Sequence, residues 1–236
     1  MRGLVQSLRA RLRASQGADR RRHRAFDERT AGIGTSPLAV VDFGGGNLGS
    51  LLSALERRGA AYELTADPDV VVHAPAAILP GDGAFGATMD ALRERGLDRA
   101  VREVVARGTP FLGICVGMQI LYEQSDEHGL FPGLGLLPGT VRRFRAAPRV
   151  PHMGWNELEL LREHPFVRGL GPHEFVYFLH SYCAEVGDDT LAAATHGERF
   201  AAIVARDNVM ATQFHPEKSQ STGAKLLDNF LAIARG

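Results

Sequence analysis

The most informative segment of this sequence is Pro110-Phe-Leu-Gly-Ile-Cys115-Val-Gly-Met-Gln119. The apolar run at Thr109 to Ile114 predicts a buried strand, and the pattern from Val116 to Gln124 predicts a helix. Cys115 then stands at a sharp strand-to-helix turn, where a strained backbone projects the side chain into a cleft. Gly113 and Gly117 let such a turn close, as in the nucleophile elbow of hydrolases. The segment indicates a reactive thiol; a cysteine that simply packs in the core is the alternative.

A second polar cluster lies near the C-terminus, in Gln213-Phe-His215-Pro-Glu217-Lys218-Ser219. Residues i and i+2 of an extended chain point the same way, so His215 and Glu217 are predicted to share a face. Glu217 can then bond one imidazole nitrogen and leave the other for the thiol. Thiol acyl transfer needs a nucleophile, a base and a carboxylate that orients the base. A surface histidine at a strand end is the alternative interpretation.

The remaining pattern predicts alternating strands and helices, followed by a β-rich C-terminal half. The predicted elements are strands at Leu38–Phe43, Tyr62–Thr65 and Ala76–Leu79, a helix from the Gly44-Gly-Gly-Asn47 turn to Gly59, a helix at Ala84–Arg107 broken at Gly96, β-rich chain from Leu136 to Phe214, and a helix at Ser221–Arg235. This alternation predicts an α/β fold whose mostly parallel central sheet is flanked by helices. Active sites lie at the carboxyl ends of such strands, where Cys115, Gly81–Gly83 and His215 fall.

The composition restricts the possible classes of protein. The chain has 236 residues, 44% of them hydrophobic, and a formal net charge of zero. These values predict one globular domain and give no indication of nucleic-acid binding. The two cysteines, Cys115 and Cys183, cannot build a disulfide framework or a four-ligand metal site, and they fit a reducing cytoplasm. No apolar run approaches the roughly 18 residues of a transmembrane helix, so no membrane association is predicted.

The first 36 residues differ from the rest in charge, with nine arginines against three acidic residues. They are predicted to form a basic, disordered extension without a catalytic role. An organelle transit peptide or a start codon assigned too far upstream are alternatives. The chemistry is predicted to reside in one domain at 37–236.

In these motifs the sequence resembles the class I, or triad, glutamine amidotransferases, from Pro37 to the C-terminus. More narrowly, it is similar to the glutaminase subunits of imidazole glycerol phosphate synthase, from histidine biosynthesis. The motifs that match the class are Gly113-Ile-Cys115-Val-Gly117 and Phe214-His215-Pro-Glu217. The motifs that match the narrower group are Cys115-Val-Gly-Met-Gln119, Pro151-His-Met-Gly-Trp155-Asn156, His180-Ser-Tyr182 and Gln213-Phe-His-Pro-Glu-Lys218-Ser219. The resemblance implies a three-layer fold and no cofactor or metal.

The resemblance also implies the reaction. Cys115 would attack the side-chain amide of L-glutamine. His215 would take the thiol proton and give it to the departing ammonia, while Glu217 would hold the imidazole in its tautomer. Water would then hydrolyse the glutamyl thioester to glutamate.

The same resemblance implies the substrate pocket and the oxyanion donors. Gln119, one helical turn after the cysteine, would contact the glutamine together with Ser181 and Tyr182. The oxyanion donors would be the Val116 N–H and the loop Pro80-Gly81-Asp82-Gly83, whose glycines permit a peptide flip. The family has an apolar residue where this chain has Asp82, so we expect that carboxylate to face solvent or a cation on a partner.

Finally, the resemblance implies a heterodimer with a cyclase subunit of (βα)-barrel fold. That subunit would combine the ammonia with a phosphoribosyl-formimino-carboxamide nucleotide, giving imidazole glycerol phosphate and an aminoimidazole carboxamide ribotide. The matching interface positions are Asn47, Trp155, Asn156, Tyr177 and Lys218. Without the family, Trp155 would be interpreted as a core aromatic.

Three other hypotheses remain open at this point. Gly44-x-Gly46-x-x-Gly49 matches a dinucleotide-binding turn, with Glu63 near the expected acidic position, but it leaves the cysteine and the His-Pro-Glu segment unexplained. A glutaminase of pyridoxal phosphate, anthranilate or guanylate synthesis would share the triad, although the segment Pro151 to Asn156 favours histidine biosynthesis. A non-catalytic binding subunit would keep the fold, but the intact cysteine, histidine and glutamate argue against it.

Overall fold

Strands that alternate with helices form the first half of the protein, as the sequence predicts. The computed structural model describes residues 36–45 and 48–236. The extension predicted to be disordered, apart from Ser36, lies outside the described residues, as do Gly46 and Asn47. Ser36–Gly236 forms one compact unit.

The elements are numbered in chain order. The strands are β1 (Leu38–Val41), β2 (Tyr62–Thr65), β3 (Ala77–Leu79), β4 (Phe111–Ile114), β5 (Tyr122–Ser125), β6 (Phe131–Pro132), β7 (Leu137–Arg143), β8 (His152–Glu157), β9 (Glu159–Leu160), β10 (Phe175–His180), β11 (Tyr182–Cys183), β12 (Thr190–His196), β13 (Glu198–Arg206) and β14 (Val209–Thr212). The helices are α1 (Leu48–Glu56), α2 (Pro68–His73), α3 (Phe85–Glu94), α4 (Leu97–Ala106), α5 (Val116–Gln119) and α6 (Gln220–Arg235). Short 3₁₀ turns lie at Pro165–Val167 and Pro216–Lys218.

The central sheet has the strand order β2-β1-β3-β4-β14-β13-β12-β9. Its first five strands are parallel, and β13, β12 and β9 continue it with antiparallel pairing. A row of buried side chains crosses four of the parallel strands, because Val40 pairs with Ile78, Ile78 with Leu112, and Leu112 with Met210. Alternate residues such as Ala39 are buried as well. The sheet is therefore covered on both faces, as near-continuous apolar strands require.

The strand order explains why helices lie on both faces of the central sheet. The chain moves from β1 outward to β2 and then back through β3 to β4. Because such crossovers are right-handed, α1 lies on one face and α2, α3 and α4 lie on the other. Arg58, just after α1, pairs with Asp228 of α6 at 2.7 Å, so α6 joins α1. The predicted three-layer α/β architecture is thereby observed.

The C-terminal half is β-rich, as predicted, and it adds two smaller sheets. One has the order β11-β7-β5-β6, and the other is an antiparallel ribbon of β8 and β10. The ribbon matters for the site because one of its strands passes beside Cys115. Among the described residues, none of the helices combines the length and hydrophobicity that a bilayer crossing requires.

One predicted element is wrong. The helix expected from Val116 to Gln124 ends at Gln119, and Tyr122–Ser125 instead forms β5. This strand pairs with β6 and β7, and both Tyr122 and Ser125 are buried. Pairing and burial supplied by distant strands override the local helical pattern.

Candidate active site

Cys115 occupies a strained turn between β4 and α5. Its φ of 56° and ψ of −111° lie where residues other than glycine are rarely found. The turn closes tightly, because a Cβ added to Gly113 would lie 2.6 Å from the Gly117 carbonyl oxygen. The Cys115 N–H donates to the Thr212 carbonyl at 2.8 Å, which ties the turn to β14. Backbone strain that is held by its surroundings in this way clusters at functional sites.

The Cys115 thiol is buried against groups from the C-terminal half. Its Sγ lies 3.9 Å from the Leu179 carbonyl oxygen and 3.9 Å from Nε2 of Gln213. Gln213 is fully buried, and its Oε1 accepts a hydrogen bond from Nε2 of Gln119 at 3.1 Å. Gln213 thus links the thiol to Gln119. Sequence reasoning missed this role; the available signal was a polar residue two positions before His215, directly after an apolar strand.

His215 and Glu217 form a buried pair in the same region. Nδ1 of His215 lies 2.9 Å from Oε1 of Glu217, and the two side chains are 9% and 5% exposed. Burial disfavours the imidazolium, but hydrogen bonds with the Cys115 thiol and with Glu217 outweigh it and raise the pKa of His215 to about 10. The other carboxylate oxygen, Oε2, has no hydrogen-bond partner among the described residues. Oε1 is therefore the carboxylate oxygen that orients the imidazole.

The backbone that brings this pair together differs from the prediction. Pro216–Lys218 is a 3₁₀ turn rather than extended chain, while His215 before it is extended, with φ −96° and ψ 99°. Proline suits the first position of a helical turn because its φ is already fixed there. The expected extended conformation was wrong, but the expected contact between residues i and i+2 is present.

The residues predicted to contact glutamine lie beside this cluster. Gln119 is buried and donates from Nε2 to the Tyr182 carbonyl at 2.9 Å. Nδ1 of His180 lies 2.9 Å from the same carbonyl oxygen, and burial lowers the pKa of His180 to about 3. A neutral imidazole and an amide therefore fix the Tyr182 carbonyl. Ser181 is half-buried, and its carbonyl accepts the Phe144 N–H at 3.2 Å.

The loop predicted to supply an oxyanion donor packs against the elbow. A Cβ on Gly81 would lie 2.8 Å from the Gly117 nitrogen, so only glycine permits this approach. Gly83 has a φ of +100°, which favours glycine. The Val116 N–H begins α5, where a helix offers no acceptor of its own. Loop and elbow are thus adjacent, as an oxyanion hole made from both would need.

A small cavity opens between this loop and the histidine–glutamate pair. Its volume is about 50 Å³, and it is lined by Asp82, Leu179, His215, Glu217 and Lys218 among others. That is room for a few water-sized molecules. Asp82 is exposed and also lines this cavity, and the direction of its carboxylate stays a prediction.

The outward side of the β8–β10 ribbon is apolar and exposed. Trp155 pairs with Tyr177 across the ribbon, with ring centroids 6.1 Å apart, and Met153 pairs with Leu179. Met153 is 62% exposed, Trp155 47%, Phe175 48% and Leu179 39%. We call these four residues and Tyr177 the outer face. Trp155 is therefore not a core aromatic, and Met153, Phe175 and Leu179 extend the surface beyond the residues the motifs had indicated.

The other predicted interface positions have different surroundings. Strand alternation directs Asn156 away from the outer face, and its Nδ2 donates to the Thr195 carbonyl at 2.9 Å. Lys218 is half-buried at the cavity. Asn47 lies outside the described residues. As interface residues, these three stay predictions.

Comparison with protein families matches residues 39–234 to the family described as "Glutamine amidotransferase class-I". A relative from Salinibacter ruber, named "Imidazole glycerol phosphate synthase subunit HisH", is 47% identical over 203 residues, covering 82% of this chain and 93% of that protein. A relative of the same name from Herpetosiphon aurantiacus is 49% identical over 203 residues, covering 84% of this chain and 96% of that protein.

Solved structures agree on the fold. A crystal structure of a glutamine amidotransferase superposes with a TM-score of 0.67 at 24% identity, covering 85% of this chain and all of that chain. The structure of PurLQS from Thermotoga maritima superposes with a TM-score of 0.67 at 20% identity, covering 85% of this chain and 99% of the other. At such identities the likeness shows the architecture, and the predicted fold class is confirmed.

Proposed function

This chain belongs to the class I glutamine amidotransferases, and we propose that it is the glutaminase subunit of an imidazole glycerol phosphate synthase in histidine biosynthesis. The relatives of that name match it along most of both chains. The observation that best supports glutaminase chemistry is the strained turn at Cys115 next to the buried pair of His215 and Glu217. Among the hypotheses left open by the sequence, a glutaminase agrees best with this geometry.

In the proposed reaction Cys115 Sγ attacks the side-chain amide carbon of glutamine, and His215 carries the proton released by the thiol. The oxyanion that forms is held by the Val116 N–H and by an amide of the adjacent loop at Gly81–Gly83. Collapse of this intermediate breaks the carbon–nitrogen bond, and His215 passes its proton to the departing ammonia. Water then attacks the thioester while His215 takes one of the water's protons. The carbon–sulfur bond breaks, His215 passes this proton to the Cys115 thiolate, and glutamate leaves.

Contacts of the pocket residues support their proposed part in this reaction. Nε2 of Gln119 is already bonded to Tyr182 and Gln213, so its Oε1 is the atom left to accept a hydrogen bond from the substrate. Gln213 contacts the thiol at the same time. We propose that this network, together with Ser181, positions the glutamine relative to Cys115.

We propose that ammonia leaves the site through the small cavity. Leu179 lines the cavity and also belongs to the outer face. A partner seated on that face would cover the exit and receive the ammonia before it escapes to water. We propose that this partner is the cyclase subunit, with a (βα)-barrel fold, and that Lys218, Asn156 and Asn47 contribute to the contact. The cytoplasm is the proposed compartment.

Replacing Glu217 by glutamine is expected to lower the pKa of His215, because a neutral amide stabilises the imidazolium less. The imidazolium persists up to a pH of about 10 in the native protein, so the variant should lose it at lower pH. We expect glutamine hydrolysis to fall by about 10- to 100-fold and the alkaline limb of its pH profile to move to lower pH. Steady-state rates between pH 6 and 11 measure both effects. An unchanged alkaline limb would argue against Glu217 as the partner of the imidazole.

Replacing Trp155 by alanine is expected to weaken binding of the cyclase about 30-fold or more, since a central exposed aromatic is the usual hot spot of an interface. Titration calorimetry measures the affinity. Leu130→Ala is the matched control, because Leu130 is 69% exposed in the turn between β5 and β6. Equal affinities for the two variants would contradict an interface on the outer face.

The choice of pathway can be tested by offering the chain several partners. We expect it to bind the cyclase of histidine biosynthesis and to be stimulated by it, but not by the synthase subunits of anthranilate, guanylate or pyridoxal phosphate synthesis. Stimulation by one of these synthase subunits would assign the chain to that subunit's pathway. Its assignment as a glutaminase would still hold.

A further inference from the structure

The hydroxyl of Ser219, the last residue of the Gln213–Ser219 segment, does not make the hydrogen bond that is usual at its position. The residue is the N-cap of α6 and is fully buried, but its side chain makes no capping hydrogen bond. Serine is common at N-caps because its hydroxyl accepts an N–H of the first helical turn. Here the hydroxyl is used elsewhere, so a purely helix-stabilising role does not explain it.

The hydroxyl joins the catalytic segment to strand β10. Ser219 Oγ donates to the His215 carbonyl at 2.7 Å and accepts the Tyr177 N–H at 3.0 Å. The His215 N–H in turn donates to the Tyr177 carbonyl at 3.2 Å. Both backbone polar groups of His215 are thus tied to one residue of β10, one directly and one through the serine. We call this closed set of three hydrogen bonds the clamp.

Strand β10 also contacts the nucleophile, and its side chains on the opposite side are exposed or half-buried. The Leu179 carbonyl, two residues after Tyr177, lies 3.9 Å from Cys115 Sγ. The side chains of Tyr177 and Leu179 stand on the outer face, opposite Trp155 and Met153. The backbone of β10 therefore contacts both the nucleophile and the base, while its side chains form the surface proposed to meet the partner.

We propose that Ser219 is a positioning residue that holds His215 to β10, so that occupation of the outer face is transmitted to the Cys115–His215 pair. The transmission rests on the proposed function; the positioning of His215 does not. Misplacement of a catalytic group by about 1 Å can change a rate by a factor of about 100. A partner that fixes β10 would therefore alter catalysis through the clamp without touching the reacting atoms.

Ser219→Ala removes the hydroxyl, and Ser221→Ala, an exposed serine in α6, is the matched control. The first readout is the rate at which iodoacetamide alkylates Cys115 in the free chain at neutral pH. A loosened His215 takes the thiol proton less readily, so alkylation should slow by about tenfold in Ser219→Ala. The second readout is the ratio of glutaminase kcat with and without the cyclase, which should fall about tenfold or more. Ser221→Ala should leave both readouts at their native values.

An unchanged alkylation rate in a folded Ser219→Ala protein would overturn the positioning role, even if its melting temperature falls. Slower alkylation with an unchanged stimulation ratio would overturn the transmission. If no cyclase stimulates the native chain, the proposed function fails, whereas slower alkylation of Ser219→Ala would still support the role of Ser219. Should Ser219→Ala not fold, amide exchange in the native complex decides: binding of the cyclase must slow exchange of both the Tyr177 and the His215 N–H, and unaltered exchange would contradict the clamp.

Discussion

Cys115→Ala is expected to lower glutamine-dependent turnover by at least about 10⁴-fold, because the thiol that forms the thioester is removed. The remaining geometry should be little changed, since the backbone bond of residue 115 to Thr212 is kept and the removed thiol makes weak contacts with Leu179, Gln213 and His215. Use of free ammonia by the complex should therefore persist. Loss of the glutamine-dependent activity alone would show that the nucleophile is missing. An unfolded variant, or one that no longer binds its partner, would not give this result.

Both activities can be measured in one reconstituted complex, with glutamine or with an ammonium salt as the nitrogen source. Cys183→Ala is the control, because Cys183 is the other buried cysteine and burial raises its pKa to about 12, which keeps the thiol protonated and unreactive. Survival of glutamine-dependent turnover in Cys115→Ala would show that the nucleophile is assigned wrongly. Loss of the ammonia-dependent activity as well would indicate a structural role for the cysteine.

Gly117→Ala is expected to destabilise the protein by about 3 kcal/mol or more, because the new methyl group has no space. Its Cβ would lie less than 3.0 Å from the carbonyl oxygen of Leu79, which is backbone and cannot swing aside. Leu79 ends β3 and leads directly into the loop at Gly81–Gly83. Any relaxation would therefore displace the proposed oxyanion donor, and we expect glutamine hydrolysis to be lost even where the variant folds.

Urea unfolding measures the loss of stability, and Gly187→Ala provides the control. Gly187 is exposed, has no positive φ, and a Cβ there would meet nothing within 4 Å. Its free energy of unfolding should stay within about 0.5 kcal/mol of the native value. If Gly117→Ala were equally mild, the close contact between the elbow and β3 would be wrong.

Much of the fold could be predicted because its signals are local. Apolar runs define the parallel strands, and the break at Gly96 is visible in the sequence and observed as a φ of +71° between α3 and α4. The position of Cys115 at a strained turn follows from its flanking glycines. The early end of α5 could not be predicted, because β5 forms only through pairing with the distant strand β7.

In the site, too, the features that depend on neighbouring residues could be predicted, and those that depend on distant residues could not. His215 and Glu217 were identifiable as neighbours from their spacing, although the turn that joins them was not. Gln213 and Ser219 stood in the quoted segment without a role, because their partners Gln119 and Tyr177 are far away along the chain. Nor could the sequence say which aromatic residues are exposed, since that depends on the ribbon of β8 and β10 lying outside the central sheet.

The proposed function requires that this chain hydrolyse glutamine under the control of a cyclase subunit. The decisive measurement is glutamate release from glutamine by the purified chain, alone and with the cyclase and its nucleotide ligand. We predict low activity alone and stimulation of at least about tenfold in the loaded complex. No glutamate release in either case, with Cys115 unreactive towards alkylation, would contradict the account and favour a binding subunit that has kept only the fold.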